Sequence, residues 1–148
     1  VDRPRAFDDG MGHRLVVYAR HMHLNAFGIT SSDLKASLGF YTMLGVAFDS
    51  FETDTGHYEA ELGGGIRLML DSEAVMASFI ENFQPPKGPG RVSLAVELGT
   101  PQEVDATYDR IVETGHFGVR EPFDAFWGQR YATIADPDGN HVDLYAGL

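Results

Sequence analysis

The sequence predicts an α+β fold of two tandem βαβββ units, whose eight strands form a half-open barrel-like cavity. Three observations predict it. A strand–helix–three-strand plan runs through the chain twice, at a spacing of roughly 70 residues. Each helix begins on capping residues and stops at a glycine. The last two strands are joined by DPDGN at 136–140, a run that carries turn residues and little else.

HLNAFGIT (23–30) alternates as a half-buried strand does. Ser31 and Ser32 are N-cap candidates for the helix DLKASLGFYTML, because their hydroxyls can accept from its free amides. Leu34, Leu38 and Tyr41 form its buried stripe, and Gly45 stops it. Strands are expected at VAFDSF (46–51), at HYEAEL (57–62) and, past the glycine turn 63–65, at IRLML (66–70). SEAVMASFIENFQPPKGPG (72–90) reads as a linker, a short helix followed by a Pro/Gly loop.

The second pass opens with RVSLAVEL (91–98). Thr100-Pro101-Gln102-Glu103 is a capping box with proline in the first helical turn. Val104, Tyr108, Ile111 and Val112 give this helix its stripe, and Gly115 ends it. Strands follow at HFGVRE (116–121), GQRYATIAD (128–136) and NHVDLYA (140–146). The boundaries are therefore 23–71 for the first unit, 72–90 for the linker and 91–148 for the second unit. Residues 1–22 read as an N-terminal extension with no chemistry of its own, and Met22 is a candidate start.

Composition narrows the function. With 148 residues, 43% apolar and 22% charged, the chain fits one globular domain. It has no run near the roughly 18 apolar residues that span a bilayer, and LVVYA (15–19) is too short for a signal-peptide core. A cytoplasmic protein is expected, with no membrane partner. The absence of cysteine excludes disulfides, thiolate metal sites and a Cys nucleophile. A net charge of −11 argues against nucleic acid, whose phosphates would be repelled. The same surplus either attracts a cationic small molecule or only maintains solubility.

SSDLKASLGFYTMLG and GQRYATIADPDGNHVDLYA resemble the vicinal oxygen chelate superfamily over residues 23–147. That group includes glyoxalase I, extradiol dioxygenases, fosfomycin-resistance enzymes and bleomycin-resistance binding proteins. The resemblance implies four inward positions that hold His, Gln or Glu in metal-using members. There a divalent ion grips and polarises two substrate oxygens. In this sequence they fall at Asn25 or Ala26, at Met69, at Ser93 and at Asp143. Asn25 offers a neutral amide, Ala26 nothing, Met69 a soft thioether and Ser93 a weak hydroxyl. Only Asp143 keeps a carboxylate, so no metal and no cofactor are expected. A rearranged metal set of His23, His57 and Asp143 stays open, since alternate strand residues share a face.

DPDGN is not a calcium loop, because its glycine falls at position four and no Glu stands at twelve. GGGIR (63–67) lacks the Lys-Ser/Thr of a phosphate loop. Glu59 and Glu61 share a strand face and are either cavity residues or a solvated pair. No catalytic constellation is found.

EPFDAFWGQRY (121–131) places Phe123, Phe126, Trp127 and Tyr131 together in what reads as a loop at the cavity mouth. Aromatic faces there can stack on a flat ligand or pack against a second subunit. The expected protein is a metal-free, homodimeric binder of an aromatic, and by charge cationic, antibiotic or metabolite. Its expected ligand-binding residues are Asn25, His57, Glu59, Met69 and Ser93 with Phe126, Trp127, Tyr131 and Asp143. The alternative is a lyase, isomerase or dioxygenase of the same fold with an atypical metal site.

Overall fold

The computed structural model describes residues 5–8, 14–17, 24–49, 55–88, 90 and 92–148. His23, of the alternative metal set, lies outside them. Nine strands and three helices form among these residues. Strands β1 (Arg5–Asp8) and β2 (Arg14–Val17) pair antiparallel as a separate hairpin. They fall in a segment whose sequence shows no strand alternation.

The first unit contains β3 (Ala26–Ser31), α1 (Leu34–Met43), β4 (His57–Gly63) and β5 (Ile66–Ser72). Its sheet has the order β3-β5-β4, with β3 and β5 parallel. The linker helix α2 covers Glu73–Phe79. The second unit contains β6 (Leu94–Glu97), α3 (Pro101–Glu113), β7 (Gly118–Ala125), β8 (Gln129–Ala135) and β9 (His141–Gly147). Its order is β6-β9-β8-β7, with β6 and β9 parallel. The predicted α+β class with two sheets holds, and the sheets do not close into a barrel.

Four local expectations need correction. Asp33, not Ser31 or Ser32, caps α1, its carboxylate accepting from the Ala36 amide at 3.0 Å. Ser31 instead ends β3 and is buried against the Ser37 hydroxyl at 2.7 Å. No strand runs over 46–49, and 50–51 lie outside the described residues. Gly45 turns with φ of 90°, and the Val46 amide closes the helix end on the Tyr41 carbonyl at 3.0 Å. That amide is spent on the cap and is lost to any ladder. Val112 is 38% exposed, and Thr107 completes the buried stripe of α3 in its place. Phe123 lies in β7 and Tyr131 in β8 as direct cross-strand partners, so the expected aromatic loop is a hairpin with Phe126 and Trp127 at its turn. Pro122 is tolerated because β7 is an edge strand and its pairing shifts register between Arg120 and Phe123.

Strand alternation sorts the side chains cleanly. Phe27, Ile29, Tyr58, Leu68 and Leu70 face α1, whereas Ala132, Ile134, Val142 and Leu144 face α3. Both sets belong to one hydrophobic cluster together with Phe40, Tyr41, Val104 and Ile111. The units are thus joined through their helix-covered sides. Across this joint Tyr41 donates to Asp136 at 2.8 Å, the Ser32 amide donates to Asp138 at 3.1 Å, and Phe40 meets His116 edge-on at 5.0 Å. The opposite face of each sheet points away from the shared core. Among the described residues no helix is long and apolar enough to cross a membrane.

Candidate functional site

The open face of the second sheet is built on Asp143. β9 pairs Asp143 with Thr133 of β8 and with Ala95 of β6. The Thr133 hydroxyl donates to its Oδ1 at 2.7 Å, and the Ser93 hydroxyl donates to its Oδ2 at 2.9 Å. Burial, reinforced by Asp143 and Tyr145, pushes the Tyr131 phenol up to about 12, so it stays a protonated donor at neutral pH. Among the described residues the hydrogen bond of the Ser93 hydroxyl goes to the Asp143 carboxylate and none joins it to an imidazole.

Aromatic rings continue this face toward the hairpin turn. Tyr131 stacks on Tyr145 at 6.4 Å, and Trp127 meets Tyr131 edge-on at 5.6 Å. Trp127 also packs edge-on against Phe126 at 4.9 Å and Phe123 at 6.2 Å. The Trp127 indole N–H donates to Gln129 at 2.8 Å, which fixes the ring's orientation. Phe126 is 97% exposed and Trp127 50% exposed, so the wall ends in open rings.

The open face of the first sheet carries a chain of opposite charges. His57 pairs across the strands with Asp71, and Glu59 with Met69. The His57 Nδ1 contacts Asp71 at 2.6 Å, and its Nε2 contacts Glu59 at 3.2 Å. Arg67 donates from Nη1 to the other Glu59 oxygen at 2.6 Å. The bond to Asp71, with smaller help from Glu59, raises the His57 pKa above 6.5. The Arg67 bond, then His57, lowers that of Glu59. Stabilisation through the His57 proton is full below 6.5 and fades as pH rises through the raised value. That through Glu59 is full above 4.5 and is lost as pH falls through the lowered value. In an NMR titration His57 is expected to lose its proton above 6.5, and Asp71→Asn should move the midpoint down. A midpoint indifferent to Asp71→Asn would show that the pair does not hold the proton.

Two groups of expected site residues are brought together. Ser93, Tyr131, Trp127 and Asp143 share one open face, and His57, Glu59 and Met69 share the other. Register puts Ala26 opposite Arg67 and Gly28 opposite Met69, so Ala26 takes the open face of β3. Asn25 precedes the strand, and its carbonyl accepts from the Arg67 amide at 2.9 Å. Among the described residues no bond joins His57 to Asp143. Thr133, Asp71, Arg67 and Tyr145 were missed by the sequence reading, although each has the strand parity of a residue it singled out.

The donor set does not fit a divalent ion. Ala26 has no donor, Met69 offers sulfur, and the hydroxyl of Ser93 is turned to Asp143. The two ring nitrogens of His57 face different carboxylates and cannot converge with both on one ion. Among the described residues no group of three or more His, Cys, Asp or Glu is arranged to hold a metal.

The family model described as Glyoxalase/Bleomycin resistance protein/Dioxygenase superfamily matches residues 23–144. The chain belongs to this superfamily. Several solved structures resemble it in fold. A glyoxalase/bleomycin resistance protein/dioxygenase from Nocardioides is 28% identical with a TM-score of 0.69, covering 89% of this chain and 87% of its own. A glyoxalase/bleomycin resistance protein/dioxygenase family enzyme from Burkholderia phytofirmans is 18% identical with a TM-score of 0.73, covering 86% of this chain and 100% of its own. A hypothetical protein from S. aureus is 22% identical with a TM-score of 0.71, covering 88% and 95%. No curated protein matches significantly.

Proposed function

We propose that this glyoxalase-superfamily chain is a binding protein that sequesters a flat aromatic antibiotic or metabolite without a metal ion. The ring wall Tyr145–Tyr131–Trp127–Phe126, running to an exposed edge, carries this reading. Stacked or edge-on rings each add about 0.5–1.5 kcal/mol beyond area burial, and several in a row favour a planar partner. The Trp127 N–H bond to Gln129 orients the wall. The hard carboxylate and soft or neutral groups at the family's metal positions favour binding over Lewis-acid chemistry.

A flat ligand should quench the emission of Trp127, the chain's one tryptophan. In calorimetric titrations Trp127→Ala should weaken that ligand about fivefold or more, the scale of one lost aromatic contact. Unchanged affinity in Trp127→Ala would remove the wall from the site.

The same reading includes a homodimer. Both polar faces turn away from the shared core, so each needs a second surface to become a closed pocket. Light scattering should give about twice the 16.3 kDa chain mass. A monomer at high concentration would leave the wall as an open surface and count against sequestration.

A further inference from the structure

We propose that Arg67 anchors a carboxylate of the ligand on the open face of the first sheet, making the bound molecule an aromatic acid. This rests on the ligand-binding reading above and names its chemistry. The charged groups of the two open faces differ in what they have left to give. A carboxylate has about four acceptor positions. Each oxygen of Asp143 already accepts a hydroxyl, one from Thr133 and one from Ser93.

A guanidinium has five N–H donors in a rigid plane. Arg67 commits Nη1 to Glu59 at 2.6 Å, and among the described residues its Nε and Nη2 have no hydrogen-bond partner. Nε and Nη2 form one edge of the plane, a two-donor fork whose spacing matches a carboxylate. The fork is braced in advance, because Glu59 is held by His57 and His57 by Asp71. Such bracing lowers the ordering cost of binding.

Space for a ligand adjoins the fork. The open-face neighbours of β5 on β3 are Ala26 and Gly28, which carry almost no side chain. A Cβ placed at Gly28 would meet only the Met69 methyl, at 3.6 Å. The strip beside Arg67 is therefore bare, and Met69 offers a soft thioether to an aromatic ring. Glu59, 2.6 Å from Arg67, and Glu61, its cross-strand partner, put negative charge beside the fork, so a carboxylate is held there by the directional pair of N–H bonds and not by the surrounding field.

Benzoate, benzamide and benzamidine share one ring and differ in head-group charge, so they test the inference in the intact protein by amide NMR. Benzoate is expected to shift the amides of residues 26–30 and 66–71 saturably, with benzamide and benzamidine weaker by about tenfold or more. Arg67→Lys keeps the charge but loses the fork, and should weaken benzoate about tenfold. Arg67→Ala should abolish the saturable shifts. Benzamidine binding as well as benzoate, or benzoate binding Arg67→Ala unchanged, would overturn the inference. So would a change from dimer to monomer in both variants, which would make Arg67 a contact to the second copy. If neutral flat ligands still quench Trp127 while benzoate ignores Arg67, this inference fails and the binding reading stands.

Discussion

Asp136→Ala is expected to destabilise the protein by about 3 kcal/mol or more, because a buried carboxylate there serves four donors. Asp136 is 4% exposed. It accepts from the Asp138 amide at 3.0 Å, the Asn140 amide at 2.8 Å, the Asn140 side chain at 2.9 Å and the Tyr41 hydroxyl at 2.8 Å. Three of these bonds shape the turn before β9, and the fourth ties it to helix α1 of the other unit. Burial, with Asp136 as the next contributor, holds the Tyr41 phenol far above its usual range, so it stays a donor. Truncation leaves buried donors without an acceptor, which costs more than the bonds were worth. Urea unfolding should show a lower midpoint at unchanged slope. Tyr41→Phe removes one bond and should cost only about 1–2 kcal/mol. Equal effects of the two substitutions would contradict the network.

Phe40→Ala should cost about 3–5 kcal/mol, the range for emptying a large aromatic site in a packed core. Phe40 is fully buried, packs edge-on against Tyr41 at 5.1 Å and reaches His116 of the second unit at 5.0 Å. Total stability of a domain is about 5–15 kcal/mol, so this one change removes a large share. Thermal unfolding that stays cooperative with a lower midpoint is the expected result. A loss under about 1 kcal/mol would mean that the units do not depend on this contact.

Much of the fold was legible because its signals are local. Thr100 and Pro101 start α3, Thr100 accepting from the Glu103 amide at 3.2 Å, as the capping box requires. Gly45 and Gly115 end the helices with φ of 90° and 95°. The lack of a strand over 46–49 was not legible, because VAFDSF alternates well but its first amide closes α1. Asp33 and Ser32 could not be told apart as caps from composition alone. The deciding fact is that Ser32 bonds Asp138, 106 residues away.

The candidate site divides in the same way. Asp143 and Ser93 were found by resemblance, and their mutual bond follows from β6 and β9 being parallel neighbours. Arg67 was invisible because one basic residue in a strand gives no motif. Its proposed role rests on the bond from Glu59 of the neighbouring strand, with Glu59 braced by His57 and His57 by Asp71.

The central claim is a binding site that works through rings and hydroxyls and needs no metal. It is tested most directly by titrating Trp127 emission with a flat aromatic ligand before and after EDTA, with elemental analysis of the same sample. Equal affinity is expected in both titrations, with well under one equivalent of Zn, Ni, Mn or Fe per chain. Quenching that disappears with EDTA and returns with one equivalent of a divalent metal would contradict it.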